Sequence, residues 1–181
     1  MSHDERFIEV QVHGLAVEPK SKAPVLLLRD QGARLLLPIW IGRAEASAIV
    51  AEIESRRGIR PMTHELVASL VGALGARCVS LEVYGLRETT FLARLRMHTA
   101  SNESTTVECR PSDGVAIALN LRIPIRVEAR VMSTAQPFAQ SNQNDESPEL
   151  GFVLDDDAEG RARLMQRLEE MSPTDFGEFE M

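Results

Sequence analysis

The chain repeats itself. Val12-His13-Gly14-Leu15 returns 71 residues later as Val83-Tyr84-Gly85-Leu86, and Gly42-Arg43-Ala44-Glu45-Ala46-Ser47-Ala48-Ile49 is echoed 68 residues on by Arg110-Pro111-Ser112-Asp113-Gly114-Val115-Ala116-Ile117. Both matches come in the same order at nearly the same offset, which points to a duplicated strand-hairpin-strand-helix unit. Units of this size bury little core alone, so the two must share one. The expectation is an α+β fold: a single compact domain of mixed β-sheets with a few helices, spanning residues 5–132.

Local patterning fits the same units. Ile8, Val10 and Val12 alternate with Glu9, Gln11 and His13, the period of a half-buried strand ending at Gly14. The runs 24–29 and 34–41 flank Asp30-Gln31-Gly32 as hairpin strands, too apolar for both faces to meet water. Ala44 to Glu54 reads as a helix stopped by Gly58. A second helix is predicted from His64 to Leu74, capped by Thr63, closed by Gly75 and carrying Leu66, Val67, Leu70, Val71 and Leu74 at helical spacing. Strands follow at 79–83, 90–97 and 105–109; Pro111 then opens a helix to Leu121, and 123–127 returns as a strand.

Charge divides the chain. Residues 140–181 hold 12 acids against 3 bases, net −9, whereas residues 1–139 hold 15 against 17, net +2. The overall −7 is therefore a property of the tail, and an arginine-rich body could still meet phosphate. Residues 133–150 are polar and aperiodic, as in a disordered linker, and 151–181 form an acidic segment. In that segment a helix is predicted from Asp156 or Asp157 to Met171, with Leu164, Leu168 and Met171 along one side. Such a helix is marginal alone and is expected to dock on the domain or on a partner. The acidic segment could also occupy a basic groove and compete with nucleic acid.

Eight aromatic residues supply a stacking surface poorly, and Cys78 and Cys109 lack metal-ligand spacing, so both are expected to be reduced. The charged start, Asp4-Glu5-Arg6, and the absence of a membrane-length apolar run predict a cytoplasmic protein.

Four ordered blocks, Leu37-Pro38-Ile39-Trp40-Ile41-Gly42-x-x-Glu45-Ala46, Arg60-Pro61-Met62-Thr63-His64-Glu65-Leu66, Leu74-Gly75-Ala76 and Arg110-Pro111-Ser112-Asp113, resemble the bifunctional nuclease family of bacteria and plants. The ending Met171-Ser172-Pro173-Thr174-Asp175-Phe176 is similar to that of bacterial members. The resemblance implies a small α+β domain, often oligomeric, named for DNase and RNase activity, with no agreed set of catalytic residues. This chain departs from the family at Leu92, where a tyrosine is common.

Glu45 and Asp113 occupy equivalent places in the two repeats, three residues into a helix. Paired there, they could hold Mg²⁺ or Mn²⁺ or handle water in hydrolysis, but an acid at that position also complements the helix dipole without further function. Arg110 and Ser112 at a helix mouth could bind a phosphate, or Arg110 could pair with Glu45 or Asp113 and fix two helix starts. His64 is a candidate proton carrier, flanked by Thr63 and Arg60 as candidate substrate contacts; a structural histidine is the alternative. Trp40 reads as a core or interface anchor rather than a stacking platform. Two functions are weighed: the resemblance implies a nuclease acting on DNA and RNA with low sequence specificity, expected as a homo-oligomer, and the rival is a non-enzymatic regulatory or scaffold domain binding a protein or small anion.

Overall fold

The computed structural model describes residues 6–18, 21–32 and 34–137. In chain order these form β1 (Phe7–Val17), β2 (Pro24–Asp30), β3 (Leu35–Trp40), α1 (Arg43–Ile53), α2 (Thr63–Ala73), β4 (Arg77–Arg87), β5 (Thr90–His98), β6 (Ser104–Cys109), α3 (Pro111–Leu121), β7 (Ile125–Glu128), α4 (Ala129–Met132) and β8 (Gln136–Pro137). Among the described residues the strands make one eight-stranded sheet, ordered β6-β5-β4-β7-β1-β2-β3-β8. The α+β class, the single domain and the two like units agree with the sequence. The predicted linker and acidic helix lie outside the described residues, apart from the first few linker positions, where the fold continues through β8.

The duplication is visible in the topology. The meanders β1-β2-β3 and β4-β5-β6 are each followed by an 11-residue helix, α1 or α3, and they flank β7 on either side. β7 runs parallel to β4 and antiparallel to β1, which makes the sheet mixed. The repeated Val-x-Gly-Leu motif has a structural meaning: register slips between Val12 and Gly14 in β1, and between Val83 and Gly85 in β4. An extra residue, His13 or Tyr84, is accommodated where a glycine follows, and the strand bends and continues. β1 therefore runs on past Gly14, where the sequence predicts its end.

One face of the sheet carries the core. Leu81, Val83, Ala93, Leu95, Ile125 and Val127 pack with Ala46, Ile49 and Val50 of α1 and Val115, Ile117 and Ala118 of α3. Gly114 lets α3 settle closely, because a Cβ there would lie 2.3 Å from Leu81 Cδ1 and 3.1 Å from Cys109 Sγ. The opposite face carries a row of alternating charge across five strands, with Glu9 opposite Arg126, Arg126 beside Glu82, Glu82 opposite Arg94 and Arg94 opposite Glu108. Glu82 is fully buried and accepts Arg94 Nε at 2.9 Å, and the Arg94 guanidinium lies 4.9 Å from the centre of the Tyr84 ring.

Some local expectations are corrected. α1 ends at Ile53 and the chain leaves it through Ser55, which adopts φ +54°, so the reversal comes three residues before Gly58. The cap of α2 is Met62; Thr63 is already its first helical residue. Gly75 does close α2 with φ +71°. Trp40 is 49% exposed on β3, which removes it from the core.

Candidate functional site

The helices α1 and α3 lie side by side and point the same way, as two polar clusters seven residues apart along each helix establish. At their starts, Arg110, the cap residue of α3, reaches both helices. Its Nη1 is 2.7 Å from Glu45 Oε1 of α1, and it grips Asp113 of α3 with Nε to Oδ2 at 2.8 Å and Nη2 to Oδ1 at 3.0 Å. The fork geometry is the one guanidinium and carboxylate favour. Hydrogen bonding to Asp113, chiefly, and the nearby Glu45 charge raise the Arg110 pKa further above its ordinary value. The cluster stands open to solvent, with Arg110 66% and Asp113 43% exposed.

Local sequence explains this placement. Pro111 starts α3 without wasting a backbone donor and leaves Arg110 extended at the cap. Glu45 and Asp113 each complement the positive end of their helix, as a first-turn acid does. Ser112, between Arg110 and Asp113, is buried. Cys109, just before the cap, has its thiol pushed up to about 11, mainly by burial, with the Asp113 charge adding to the effect.

At the other ends of the same helices lies a cluster that the sequence reading missed. Glu52 of α1, almost wholly buried, accepts Asn120 Nδ2 of α3 at 3.0 Å and Arg57 Nη1 at 2.9 Å, and lies 2.8 Å from His64 Nε2 of α2. Glu52 and Asn120 are 68 residues apart, the offset that relates Glu45 to Asp113. The repeat offset was the available signal, but it relates a carboxylate to an amide here and shows no charge pattern. Arg57 also pairs with Glu65, whose second oxygen accepts Met62 N at 2.8 Å. The backbone donor at Met62, first, and Arg57 hold the Glu65 carboxyl below its usual range.

The structure therefore joins Glu45, Asp113 and Arg110 and separates them from His64. Glu52, the partner of His64, is seven residues from Glu45 along α1, roughly 10 Å at the helical rise. His64 is buried, while Thr63 and Arg60 are exposed beside it at the start of α2. As for a divalent cation, both Asp113 oxygens and one of Glu45 are engaged by Arg110, so a metal would have to displace the guanidinium to reach them. No group of three or more His, Cys, Asp or Glu side chains converges as a metal site among the described residues.

The fold and this paired-helix site define a duplicated α+β domain with an exposed arginine-carboxylate cluster at its paired helix starts. A model of the bifunctional nuclease domain matches residues 25–140, and the chain belongs to that family. An uncharacterized protein of Mycobacterium tuberculosis is 38% identical over 168 residues, 93% of this chain and 97% of the relative, so the match extends at least to residue 168. Bifunctional nuclease 1 of Oryza sativa subsp. japonica is 25% identical over 109 residues, and bifunctional nuclease 1 of Arabidopsis thaliana 28% over 105. These plant matches take 59% and 57% of this chain but only 33% and 32% of the relatives. No helix among the described residues is long and apolar enough to cross a membrane.

Proposed function

We propose that this protein hydrolyses phosphodiester bonds of DNA and RNA with low sequence specificity, at the paired starts of α1 and α3. The observation that carries the reading is the shared grip of Arg110 on Glu45 and Asp113, one acid from each repeat, in a solvent-open cluster. The names of the plant relatives support the substrate class.

The chemistry is an exchange of partners. A backbone phosphate draws Arg110 onto its oxygens, since guanidinium forks fit phosphate as well as carboxylate. Asp113 and Glu45, released, accept the proton of a water that attacks phosphorus, and the bond to the leaving oxygen breaks, with that oxygen protonated from solvent. Mg²⁺ or Mn²⁺ belongs to this proposal only as a cation that takes the place Arg110 gives up. Ser112, Thr63 and Arg60 extend the proposed substrate contacts, with Arg60 steering the backbone by charge. His64, tied to Glu52, is assigned a positioning role between α1 and α2 rather than the proton transfer its sequence context suggests. The same reading puts the protein in the cytoplasm as a homo-oligomer.

The test measures cleavage of single-stranded DNA, double-stranded DNA and RNA with Mg²⁺, Mn²⁺ or EDTA, comparing wild type with an identically purified Glu45→Gln, Asp113→Asn variant. Cleavage lost in a folded variant supports the proposal. Equal traces in both samples refute this site, and no cleavage in either leaves the reading as a non-enzymatic regulatory or scaffold domain. That second reading is favoured by one observation, the exposed apolar ridge of α2.

A further inference from the structure

α2 turns the wrong residues outward for a helix packed on a core. His64 and Ala68 are buried, while Met62, Leu66, Leu70 and Leu74 are exposed, Leu74 by 75%. These four recur every fourth residue, forming a continuous apolar ridge of the kind that seats in the groove of another helix. Ile59, fully exposed, extends the patch at its lower end. Beside it stand Arg56, Arg57 and Arg60, and Arg60 has no carboxylate partner among the described residues.

We propose that the occupant of this ridge is the chain's own C-terminal segment, residues 157–171, docked as a helix through Leu164, Leu168 and Met171. Three observations select it. The segment offers the matching pattern: Leu164 and Leu168 are also four apart, and 15 helical residues span about 22 Å, enough to cover the ridge. Its charge is complementary at one end: the segment as a whole holds four acids and three arginines, but an antiparallel helix brings Glu169 and Glu170 to the arginines at the start of α2. The chain is long enough: residues 138–156 can extend about 60 Å, against a radius of gyration of about 14 Å for a domain this size. The match to the 38% identical mycobacterial relative extends to residue 168 or beyond and so takes in the positions of Leu164 and Leu168.

Hydrogen exchange on the full chain, read by mass spectrometry at two protein concentrations, tests the inference. Leu164→Asp, Leu168→Asp in the full chain should speed exchange of peptides covering 62–74 by about tenfold or more, leaving β4 and β5 unchanged, as local rather than global opening requires. Leu70→Asp, at an exposed site that the core does not need, should speed tryptic cleavage at Arg161, Arg163 and Arg167 by a similar factor. Arg60→Glu should do the same more weakly, with the difference shrinking as salt rises. Exchange of 62–74 that is identical in wild type and the tail variant overturns the proposal. Protection that grows with concentration and ignores the tail variant also overturns it, and assigns the ridge to a second copy.

Discussion

The two ends of the α1–α3 pair are built at the same repeat positions and differ in nearly everything else. At the starts, Glu45 and Asp113 share Arg110 in the open. At the ends, Glu52 and His64, with side chains only 4% and 7% exposed, meet the half-buried Asn120 and the half-exposed Arg57. Burial decides what each can do. A carboxylate out of water must keep its donors, because leaving any of them unmatched costs a desolvation penalty that nothing repays. An exposed pair loses little when it opens, since water takes over both partners. The buried end therefore fixes α1, α2 and α3 to one another, and the open end can exchange one partner for another.

Breaking the buried end should have the largest effect. Glu52→Ala leaves the buried His64 without its carboxylate, takes the acceptor from Asn120 and leaves Arg57 with Glu65 alone. A loss of about 3–5 kcal/mol is expected, the range for removing one member of a buried ionic cluster. Urea unfolding followed by the fluorescence of Trp40, the single tryptophan, measures it. A loss under about 1 kcal/mol would mean that Glu52 is solvated and the contrast between the two ends is wrong.

The same contrast explains which parts were legible in the sequence. The repeat could be read because a bulge needs a residue and a glycine at the same place in both copies, and Val12-His13-Gly14 and Val83-Tyr84-Gly85 show it directly. Glu45 and Asp113 could be paired because the offset aligns two acids. Glu52 could not, because its partners are an amide from the other repeat, a histidine from α2 and an arginine from a loop, brought together only by packing. The charge row from Glu9 to Glu108 was hidden for a related reason: each strand contributes one charge to it, and only strand order and register line them up. α2 misled most. Its leucines have helical spacing, and the sequence does not say that His64 and Ala68 face inward in their place.

At the open end, Arg110→Ala should cost stability only about 0–1 kcal/mol, the usual worth of an exposed ion pair. Its effect on function should be far larger than its effect on stability. Removing the phosphate contact should raise KM for a nucleic acid substrate and weaken binding at low salt, while leaving the urea midpoint near that of wild type. A midpoint shift comparable to that of Glu52→Ala would make Arg110 a structural clamp and put the two ends in one class.

The smallest effect separates the ends by pH. Glu65 stands at the margin of the buried cluster, and its carboxyl is held below the ordinary range by the Met62 N–H and by Arg57. A lowered folded pKa means that the folded state favours the charged form. The stabilisation is present above the unfolded value, about 4.3, and is lost as pH falls through the folded pKa. Glu65→Gln should therefore lower Tm slightly at neutral pH, with the difference shrinking as pH falls from the unfolded value through the folded pKa, where wild type itself becomes neutral at this position. Differential scanning calorimetry across that interval checks it. A difference that persists in acid would show that Glu65 contributes through the shape of its side chain and not through its charge, and would leave Glu52 as the ionic centre of the closed end.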